Sequence, residues 1–245
     1  MNFVIPMAGR GQRFVDAGYD KPKMLIEAHG KTLLEWSVDS LPLDLSSKLV
    51  FILLEEHERE HQLIDFIRSK YQQYNLDFVR LADVTRGQAE TVVMAEKHLD
   101  FNKDLVIFNI DTYFQSKMLA SNLLNEQLDG VLGTFHDPSD SSRFSYAKTD
   151  ANGIITQVEE KIHISDNALT GMYHFKRCED FIDLATSIID RGETTKGEYY
   201  IAPMYNHLIE QGHKFRLDVC ENHAILGTPD EFNEFLKLDR KDIES

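Results

Sequence analysis

Short apolar runs alternate with amphipathic stretches along the first half of the chain. The runs are partly β-branched and most are bounded by turn residues, which predicts buried strands. They are Asn2–Met7, Leu49–Leu54, Phe78–Leu81 and Leu105–Asn109. The stretches with helical spacing are Lys31–Ser40, Glu58–Tyr71 and Ala89–Leu99. A capping box of Thr32 and Glu35 is expected to open the first helix. This alternation predicts a mainly parallel sheet with helices on its faces.

The pattern changes after about residue 130, where strands follow one another with less helix between them. The predicted strands are Val131–Phe135, Ser145–Thr149, Ile154–Glu159, Leu169–Phe175 and Lys214–Cys220. The predicted helices are Glu179–Arg191, Tyr199–Gln211 and Pro229–Lys241. Asn152 and Gly153 tolerate positive φ, so a hairpin turn is expected there. No linker rich in proline, glycine or serine separates the halves, so we expect one α/β domain over residues 1–245.

Acidic residues dominate the charge, with 41 Asp and Glu against 26 Lys and Arg and a formal net charge of −15. Phosphate backbones and anionic lipids repel a chain with this much negative charge. We therefore expect no nucleic-acid and no membrane partner. Hydrophobic residues make up 42% and charged residues 27%, which is typical of a folded globular protein and excludes disorder as the main state.

The expected compartment is the cytoplasm. The opening residues contain no basic segment followed by a long apolar stretch, and no run approaches the roughly 18 apolar residues of a membrane span. The two cysteines, Cys178 and Cys220, are too few for a disulfide framework or a four-ligand zinc site, which favours a reducing environment.

The segment Pro6–Phe14 carries the most informative chemistry. A predicted strand runs into a loop with Gly9 and Gly11, where successive backbone N–H groups can point at an anion. Arg13 adds a planar fork that suits phosphate oxygens, and Lys23 adds a mobile point charge. A locally positive loop in an acidic protein predicts a phosphate-bearing substrate, whereas the alternative is a glycine turn with solvated basic residues.

Three familiar motifs come close to matching. The dinucleotide fingerprint lacks its third glycine, because Phe14 stands there, and the P-loop pattern before Gly30-Lys31-Thr32 has Leu25 in place of its first glycine. The segment from His57 to His61, with Glu58 between them, satisfies the zinc-protease pattern. Its alternative is a solvated helix start with acids near the positive end of the dipole.

The motif Gly9-x-Gly11-x-Arg13-Phe14, with Pro22-Lys23 and Gly30-Lys31, resembles the signature of the sugar-phosphate nucleotidyltransferase family. The resemblance covers nearly the whole chain and extends to capsule and surface-polysaccharide members. Further segments resemble the family in order: Gly87–Thr91, Asn109–Asp111, Glu160-Lys161, Gly171-x-Tyr173 and Lys196–Tyr199. The resemblance implies a Rossmann-like nucleotide-diphospho-sugar transferase fold, with a nucleotide-binding half over about residues 1–130 and an acceptor-binding half over 131–245.

The resemblance also implies the reaction and the residues that perform it. A phosphate oxygen of a phosphorylated acceptor attacks the α-phosphorus of a nucleoside triphosphate, and pyrophosphate leaves. The implied catalytic residues are Arg13, Lys23 and Asp111, with Asp111 as the ligand of Mg²⁺. The implied nucleotide-binding residues are Ala8, Gly9, Gly11, Gly87 and Gln88, and the acceptor-binding residues are Glu160, Lys161, Gly171, Tyr173 and Glu198. The expected triphosphate is CTP, UTP or dTTP rather than a purine nucleotide, and the oligomeric state is left open.

Two departures from the family pattern bear on these expectations. Ile225 stands where the family has an aspartate as second metal ligand. Either Asp218, Glu221 or Asp230 substitutes for it, or one protein ligand together with phosphate and water oxygens is sufficient. Tyr146-Ala147 stands where the family often has a Tyr-Gly pair that contacts a hexose, which favours an acceptor other than an ordinary hexose 1-phosphate. The expected acceptor is a sugar 1-phosphate or another small phosphorylated metabolite. The alternatives to this reading are a glycosyltransferase of related fold that uses a nucleotide sugar, a non-catalytic nucleotide-binding regulator, and a zinc hydrolase.

Overall fold

The predicted strands of the first half lie side by side and run parallel in the computed structural model, which describes residues 1–243. The strands are β1 (Asn2–Pro6), β2 (Glu27–Ala28), β3 (Lys31–Thr32), β4 (Lys48–Leu54), β5 (Leu76–Leu81), β6 (Leu105–Phe108), β7 (Thr112–Gln115), β8 (Gly130–His136), β9 (Ser145–Thr149), β10 (Ile155–Glu160), β11 (Asn167–Phe175), β12 (Phe215–Val219) and β13 (Asn222–Ile225). The helices are α1 (Gln12–Asp16), α2 (Leu33–Val38), α3 (Glu55–His61), α4 (Leu63–Tyr71), α5 (Gln88–Val93), α6 (Leu119–Leu123), α7 (Cys178–Arg191), α8 (Met204–Glu210), α9 (Pro229–Leu236) and α10 (Arg240–Ile243).

Nine strands of the described residues form one mixed sheet. Its main path runs β10-β9-β11-β6-β1-β4-β5, and β8 joins β11 to β12. The pairs β6–β1, β1–β4 and β4–β5 are parallel, whereas β11 runs antiparallel to β6 and β8. The chain leaves β1 toward β4 on one side and later returns to β6 on the other, so the strand order reverses at β1. Such a reversal opens a crevice at the carboxyl edge of a sheet.

Both faces of the central sheet are buried, because alternate residues of one strand enter different clusters. Val50 and Ile52 of β4 belong to a cluster packed with α5, α7 and α8, whereas Leu49 and Phe51 belong to one packed with α2 and α4. Parallel strands that are covered on both faces have apolar residues at successive positions. This explains the continuous apolar runs of the first half of the sequence. The first cluster also includes Phe215 of β12, so one core draws on residues before and after position 130.

Several predicted helices are shorter than the periodicity suggests. The predicted helix Glu58–Tyr71 is two helices, α3 and α4, because Gln62 adopts φ 50° and the Glu58 carboxylate accepts from the Ile64 N–H at 2.8 Å. The predicted helix Tyr199–Gln211 begins only at Met204, because the backbone of Tyr199 is bonded to another segment.

Three further boundaries differ from the prediction. The helix expected from Lys31 begins at Leu33, because Lys31 and Thr32 pair with Glu27 and Ala28 in the β2–β3 hairpin. The stretch Ala89–Leu99 holds α5 and then a 3₁₀ turn over Glu96–His98. The last predicted helix ends at Leu236 and is followed by α10.

The antiparallel pair β7–β13 has no counterpart in the predicted elements. It joins the segment after β6 to the segment before α9, with Thr112 opposite Ile225. Among the described residues, no helix is both long and apolar enough to cross a membrane.

Candidate functional site

A cavity of about 850 Å³ lies at the carboxyl edge of the sheet where the strand order reverses. The loops that follow β1 and β6 form its floor, and residues of β10, β11 and the start of α9 form its walls. Cavities that hold small ligands typically measure about 300–1,000 Å³. The size therefore suits a nucleotide together with a second small molecule.

The glycine loop packs tightly against Lys23. Gly11 adopts φ 63° as the residue before α1, and its carbonyl accepts from the Phe14 N–H at 2.9 Å. A Cβ at Gly11 would lie 3.2 Å from Lys23 Cβ, so glycine suits both this conformation and this contact. The loop thus holds its backbone and the lysine stem side by side on the cavity floor.

The ammonium of Lys23 lies inside the cavity rather than in solvent. Its side chain is 12% exposed, and Nζ lies 3.9 Å from Asp111 Oδ2. Burial lowers the pKa of Lys23, an effect that the carboxylates of Asp111 and Glu231 oppose and that the charge of Arg13 reinforces. A buried cation beside a carboxylate at the end of β6 is therefore the electrostatic centre of the site.

The two arginines of the glycine loop have different surroundings. Arg13 is exposed at the cavity wall. Arg10 points to the outer surface, where its guanidinium donates to Glu56 at 3.2 Å and to Asp83 at 3.0 Å. Arg13 is therefore the arginine of this loop that faces the cavity.

Asn109 and Gly171 fit together at the centre of the cavity. The Gln88 side-chain amide donates to Asn109 Oδ1. A Cβ at Gly171 would lie 2.7 Å from Asn109 Nδ2, and Gly171 has φ 86° within an irregular part of β11. Glycine at this position allows the Asn109 side chain to enter the cavity beside Gln88.

The far wall of the cavity carries a second cation. Lys161 Nζ donates to the Tyr200 hydroxyl at 2.6 Å, which raises the pKa of Lys161, and it lies 3.9 Å from Glu160 Oε1. Glu160 is 5% exposed, and its carboxylate accepts from the Ser145 hydroxyl. Burial raises the pKa of Glu160. Tyr173 is buried beside this pair, and Glu198 is exposed at the cavity mouth.

Most of the residues singled out by the sequence line this one cavity. They are Gly9, Gly11, Arg13, Lys23, Gln88, Asp111, Glu160, Lys161, Gly171, Tyr173 and Glu198. Ala8 and Gly87 are not among the described residues that line it. Ala8 is 6% exposed and belongs to the core cluster that also includes residues of the sheet and of α5.

Gly87 supports the cavity wall from outside it. A Cβ at Gly87 would lie 2.4 Å from the Tyr199 N atom, and Gly87 has φ 152°. The Tyr199 N–H donates to the Arg86 carbonyl at 3.1 Å, and the Ala89 N–H donates to the Tyr199 carbonyl at 2.9 Å. These hydrogen bonds attach the backbone on either side of Gly87 to the Tyr199 segment, which carries Glu198 and Tyr200 to the cavity. The expected contact of Gly87 with a base and ribose stays a prediction.

Arg143, Tyr200 and Glu231 are among the residues of the lining that the sequence prediction missed. Arg143 and Glu231 form an ion pair across the cavity wall, between the loop after β8 and the first turn of α9. Tyr200 follows a segment that the prediction did include. Arg143 is a cation in a loop rich in serine and aspartate, which is a signal that sequence reasoning could have used.

The residues near Asp111 decide what could hold a metal ion. Ile225 lies opposite Thr112, the residue after Asp111, in the β7–β13 pair and lines the cavity, but its side chain has no donor atom. None of the three predicted substitutes is among the described residues of the lining: Asp218 accepts from Asn122 at 2.7 Å, Glu221 accepts from the Lys117 N–H at 3.1 Å, and Asp230 is exposed. Asp111 remains as a carboxylate at the floor.

The zinc-protease pattern has a structural role. Glu58 caps α4 through the Ile64 N–H, and His57 is 8% exposed on α3. Within the described residues, no group of three or more His, Cys, Asp or Glu side chains is arranged to hold a metal ion. Any metal ion at Asp111 would therefore take at least part of its ligand shell from substrate and water.

Tyr146 is part of the scaffold behind the far wall. It is fully buried, and its hydroxyl donates to Asp137 Oδ2 at 2.8 Å. Asp137 Oδ1 also accepts from the Ser139 N–H and hydroxyl. This network fixes the loop that brings Arg143, Phe144 and Ser145 to the cavity.

Comparisons with known proteins agree on one family. The family model described as nucleotidyl transferase matches residues 3–231. The structure of the nucleoside-diphosphate-sugar pyrophosphorylase from Vibrio cholerae RC9 is similar over 96% of this chain and 100% of that chain, with 35% identity and a TM-score of 0.84. The UTP–glucose-1-phosphate uridylyltransferase of Haloferax volcanii is 25% identical over 218 residues, which are 86% of this chain and 85% of the relative.

A more distant structure supports the fold alone. The inositol-1-phosphate CTP transferase from T. maritima has a TM-score of 0.75 and 13% identity, over 99% of this chain and 93% of that chain. The family match agrees with the nucleotidyl-transfer reading and not with a glycosyltransferase, a non-catalytic regulator or a zinc hydrolase. The chain belongs to the nucleotidyl transferase family and is a sugar-phosphate nucleotidyltransferase.

Proposed function

We propose that the protein catalyses Mg²⁺-dependent transfer of a nucleotidyl group from a pyrimidine nucleoside triphosphate to a sugar 1-phosphate or another small phosphorylated metabolite. A phosphate oxygen of the acceptor forms a bond to the α-phosphorus, the bond from that phosphorus to the bridging oxygen breaks, and pyrophosphate leaves. The product is a nucleoside-diphosphate-activated precursor, and we propose that it serves surface-polysaccharide synthesis. CTP, UTP and dTTP are the triphosphates that we expect.

The observation that carries this proposal is the buried Lys23 ammonium between the glycine loop and Asp111. Both reacting groups are anionic, so catalysis consists mainly of aligning them and neutralising charge. Lys23, 12% exposed and 3.9 Å from Asp111, supplies a fixed positive charge where the α-phosphate would lie. The exposed guanidinium of Arg13 at the cavity wall suits the leaving pyrophosphate.

The opposite wall supports the acceptor assignment. Lys161, oriented by Tyr200, is a cation on the wall formed by β10 and β11, across from the glycine loop. We propose that it receives the acceptor phosphate, and that Glu198 at the mouth and Gly171 beside Tyr173 contact the remainder of the acceptor. On the nucleotide side we propose backbone donation from Gly9 and Gly11 and contact with Gln88.

The donor set at the floor fits Mg²⁺. Mg²⁺ prefers oxygen ligands, keeps several waters, and is commonly held by one or two carboxylates together with substrate phosphates. Asp111 is a carboxylate of the lining with 44% of its side chain exposed, so its oxygens are accessible from the cavity. The bound cation would neutralise charge on the triphosphate oxygens.

A matrix of substrates tests the proposal. CTP, UTP, dTTP, GTP and ATP are each combined with phosphorylated sugars, polyols and amino alcohols, and pyrophosphate release is measured with and without Mg²⁺. We expect release only when a pyrimidine triphosphate, an acceptor and Mg²⁺ are all present, and Asp111→Asn should abolish it. Release from a nucleotide sugar without triphosphate, or thermal stabilisation by no triphosphate, would contradict the proposal.

A further inference from the structure

The carboxylate of Glu231 has one oxygen without a hydrogen-bond partner among the described residues. Glu231 Oε1 pairs with Arg143, whereas Oε2 is buried and unpartnered. A buried carboxylate oxygen without a partner is costly, so its place in the lining calls for a ligand that the protein alone does not supply.

The sequence around Glu231 would ordinarily direct this side chain elsewhere. Thr228 and Glu231 have the same spacing as Thr32 and Glu35, which form a complete capping box. In that box the Glu35 carboxylate accepts from the Thr32 N–H at 2.9 Å. In α9 the Thr228 hydroxyl accepts from the Glu231 N–H at 3.3 Å, but the carboxylate extends into the cavity instead of returning to its own helix start.

Glu231 and Asp111 converge on the same glycine. A Cβ at Gly227 would lie 3.3 Å from Glu231 Oε2 and 3.9 Å from Asp111 Oδ2. Both carboxylates also act on the charge of Lys23. The absence of a side chain at Gly227 therefore leaves room for two carboxylates from different segments, Asp111 before β7 and Glu231 in α9.

We infer that Glu231 is the second carboxylate of the Mg²⁺ site and substitutes for the aspartate that Ile225 replaces. This inference rests on the proposed function and names a further residue of this chain as a ligand of the Mg²⁺ ion. Two carboxylates, with phosphate and water oxygens, satisfy the ligand preference of Mg²⁺. Arg143 balances the charge of Glu231 in the free enzyme, and its side chain is 60% exposed, so it can move into solvent when a bound cation takes over that role.

Binding of Mn²⁺ to the full chain, followed by electron paramagnetic resonance, tests the inference without using turnover. Inorganic tripolyphosphate is the second ligand, because it carries the phosphates and no base. We expect Glu231→Gln and Asp111→Asn each to weaken Mn²⁺ binding about tenfold or more. Asp230→Asn is the matched control, since it removes an exposed carboxylate from the same helical turn, and we expect a change below about twofold.

Two further variants distinguish a loss of metal ligation by Glu231 from a structural effect of its replacement. Ile225→Asp introduced into Glu231→Gln places a carboxylate beside Asp111, and we expect it to recover Mn²⁺ binding. Arg143→Gln should leave Mn²⁺ binding equal or tighter, because it frees the Glu231 carboxylate. Melting temperatures of all variants establish that each is folded.

The outcomes distinguish this inference from the proposed function. If Asp111→Asn weakens Mn²⁺ binding and Glu231→Gln does not, the inference is overturned and the proposed function stands. If Arg143→Gln loses as much affinity as Glu231→Gln, the ion pair rather than the carboxylate matters, and the inference is also overturned. If the wild-type chain binds no Mn²⁺ with tripolyphosphate, the proposed function itself fails.

Discussion

Lys23 Nζ and Asp111 Oδ2 lie 3.9 Å apart, on segments that follow the neighbouring parallel strands β1 and β6. The pair brings a cation and a carboxylate together at the cavity floor. Because the ammonium of Lys23 is buried, water screens its charge only weakly, and the surrounding residues hold it in position. A fixed charge is most useful where negative charge develops during a reaction.

Lys23→Ala should lower turnover more than it lowers triphosphate affinity. We expect kcat to fall by about 100-fold, since a positioned charge stabilises the transition state more than the bound substrate. Steady-state kinetics and triphosphate binding by calorimetry measure the two effects separately. Lys21→Ala, which removes an exposed lysine paired with Glu27, is the matched control. Equal losses of kcat and of affinity would show that Lys23 only binds the substrate.

Gly87→Ala should destabilise the fold by about 2 kcal/mol or more, because the added Cβ would overlap the Tyr199 backbone. Gly153→Ala is the matched control: it has φ 77° and no atom within 4 Å of the added Cβ, so it should cost only about 1 kcal/mol. Urea unfolding measures both. Equal losses would mean that the contact with Tyr199 is not tight.

Asp137→Asn should destabilise the fold by about 2 kcal/mol at pH 7. Burial alone would raise the pKa of Asp137, but hydrogen bonds donated by Ser139, Tyr146 and Ser141 outweigh it and lower the pKa to about 2. A carboxylate with a lowered pKa in the folded state stabilises the protein above its ordinary pKa of 3.8, and this contribution is lost as the pH falls toward 2.

The difference in unfolding free energy between wild type and Asp137→Asn should therefore shrink between pH 4 and pH 2. Asp140→Asn in the same loop is the control: the Asp140 side chain is 91% exposed, so its loss should cost below about 0.5 kcal/mol. A constant difference across this pH range would contradict the assigned charge state.

Glu160→Gln should stabilise the fold at neutral pH and weaken the use of the acceptor. Because burial raises the pKa of Glu160, the folded state binds its proton more tightly than the unfolded state does. The wild-type protein therefore loses stability as the pH rises from the ordinary pKa of 4.5 through the raised pKa, because ionising the buried Glu160 carboxyl is costly. Glu160→Gln avoids this cost, so its advantage in unfolding free energy over wild type should disappear as the pH falls below 4.5.

Thermal unfolding from pH 4 to pH 8 measures this effect. Glu159→Gln, which removes a less buried carboxylate from the same strand, controls for the change in net charge. A gain for Glu160→Gln that grows as the pH falls would have the wrong sign.

Local patterns were sufficient to predict the central sheet and the glycine loop. The strands of the first half are continuous apolar runs because both faces of the sheet are covered, and each run can be recognised without its neighbours. Gly11, Arg13 and Lys23 could be identified for the same reason, since the loop's positive charge and glycines lie close together in the sequence. Fold and family were correctly anticipated from these segments.

Contacts between distant segments could not be predicted in this way. The close contact of Gly87 with the Tyr199 backbone is one that no local pattern reveals. Glu231 shows the same limit: the sequence spacing that forms a full capping box at Thr32 forms only half of one at Thr228, because Arg143 from another loop pairs with the carboxylate. Long-range partners decide where such side chains point.

An aromatic cluster at the cavity edge links α1 to α9, two helices that are far apart in the sequence. Phe14 of α1 packs edge-on against Phe232 of α9, with ring centroids 6.2 Å apart, and Tyr19 contacts both rings. A chain still emerging from the ribosome has made its glycine loop long before α9 is synthesised. The cavity wall therefore closes only after α9 has been synthesised, and a nascent chain that stops before residue 229 should not form the complete site.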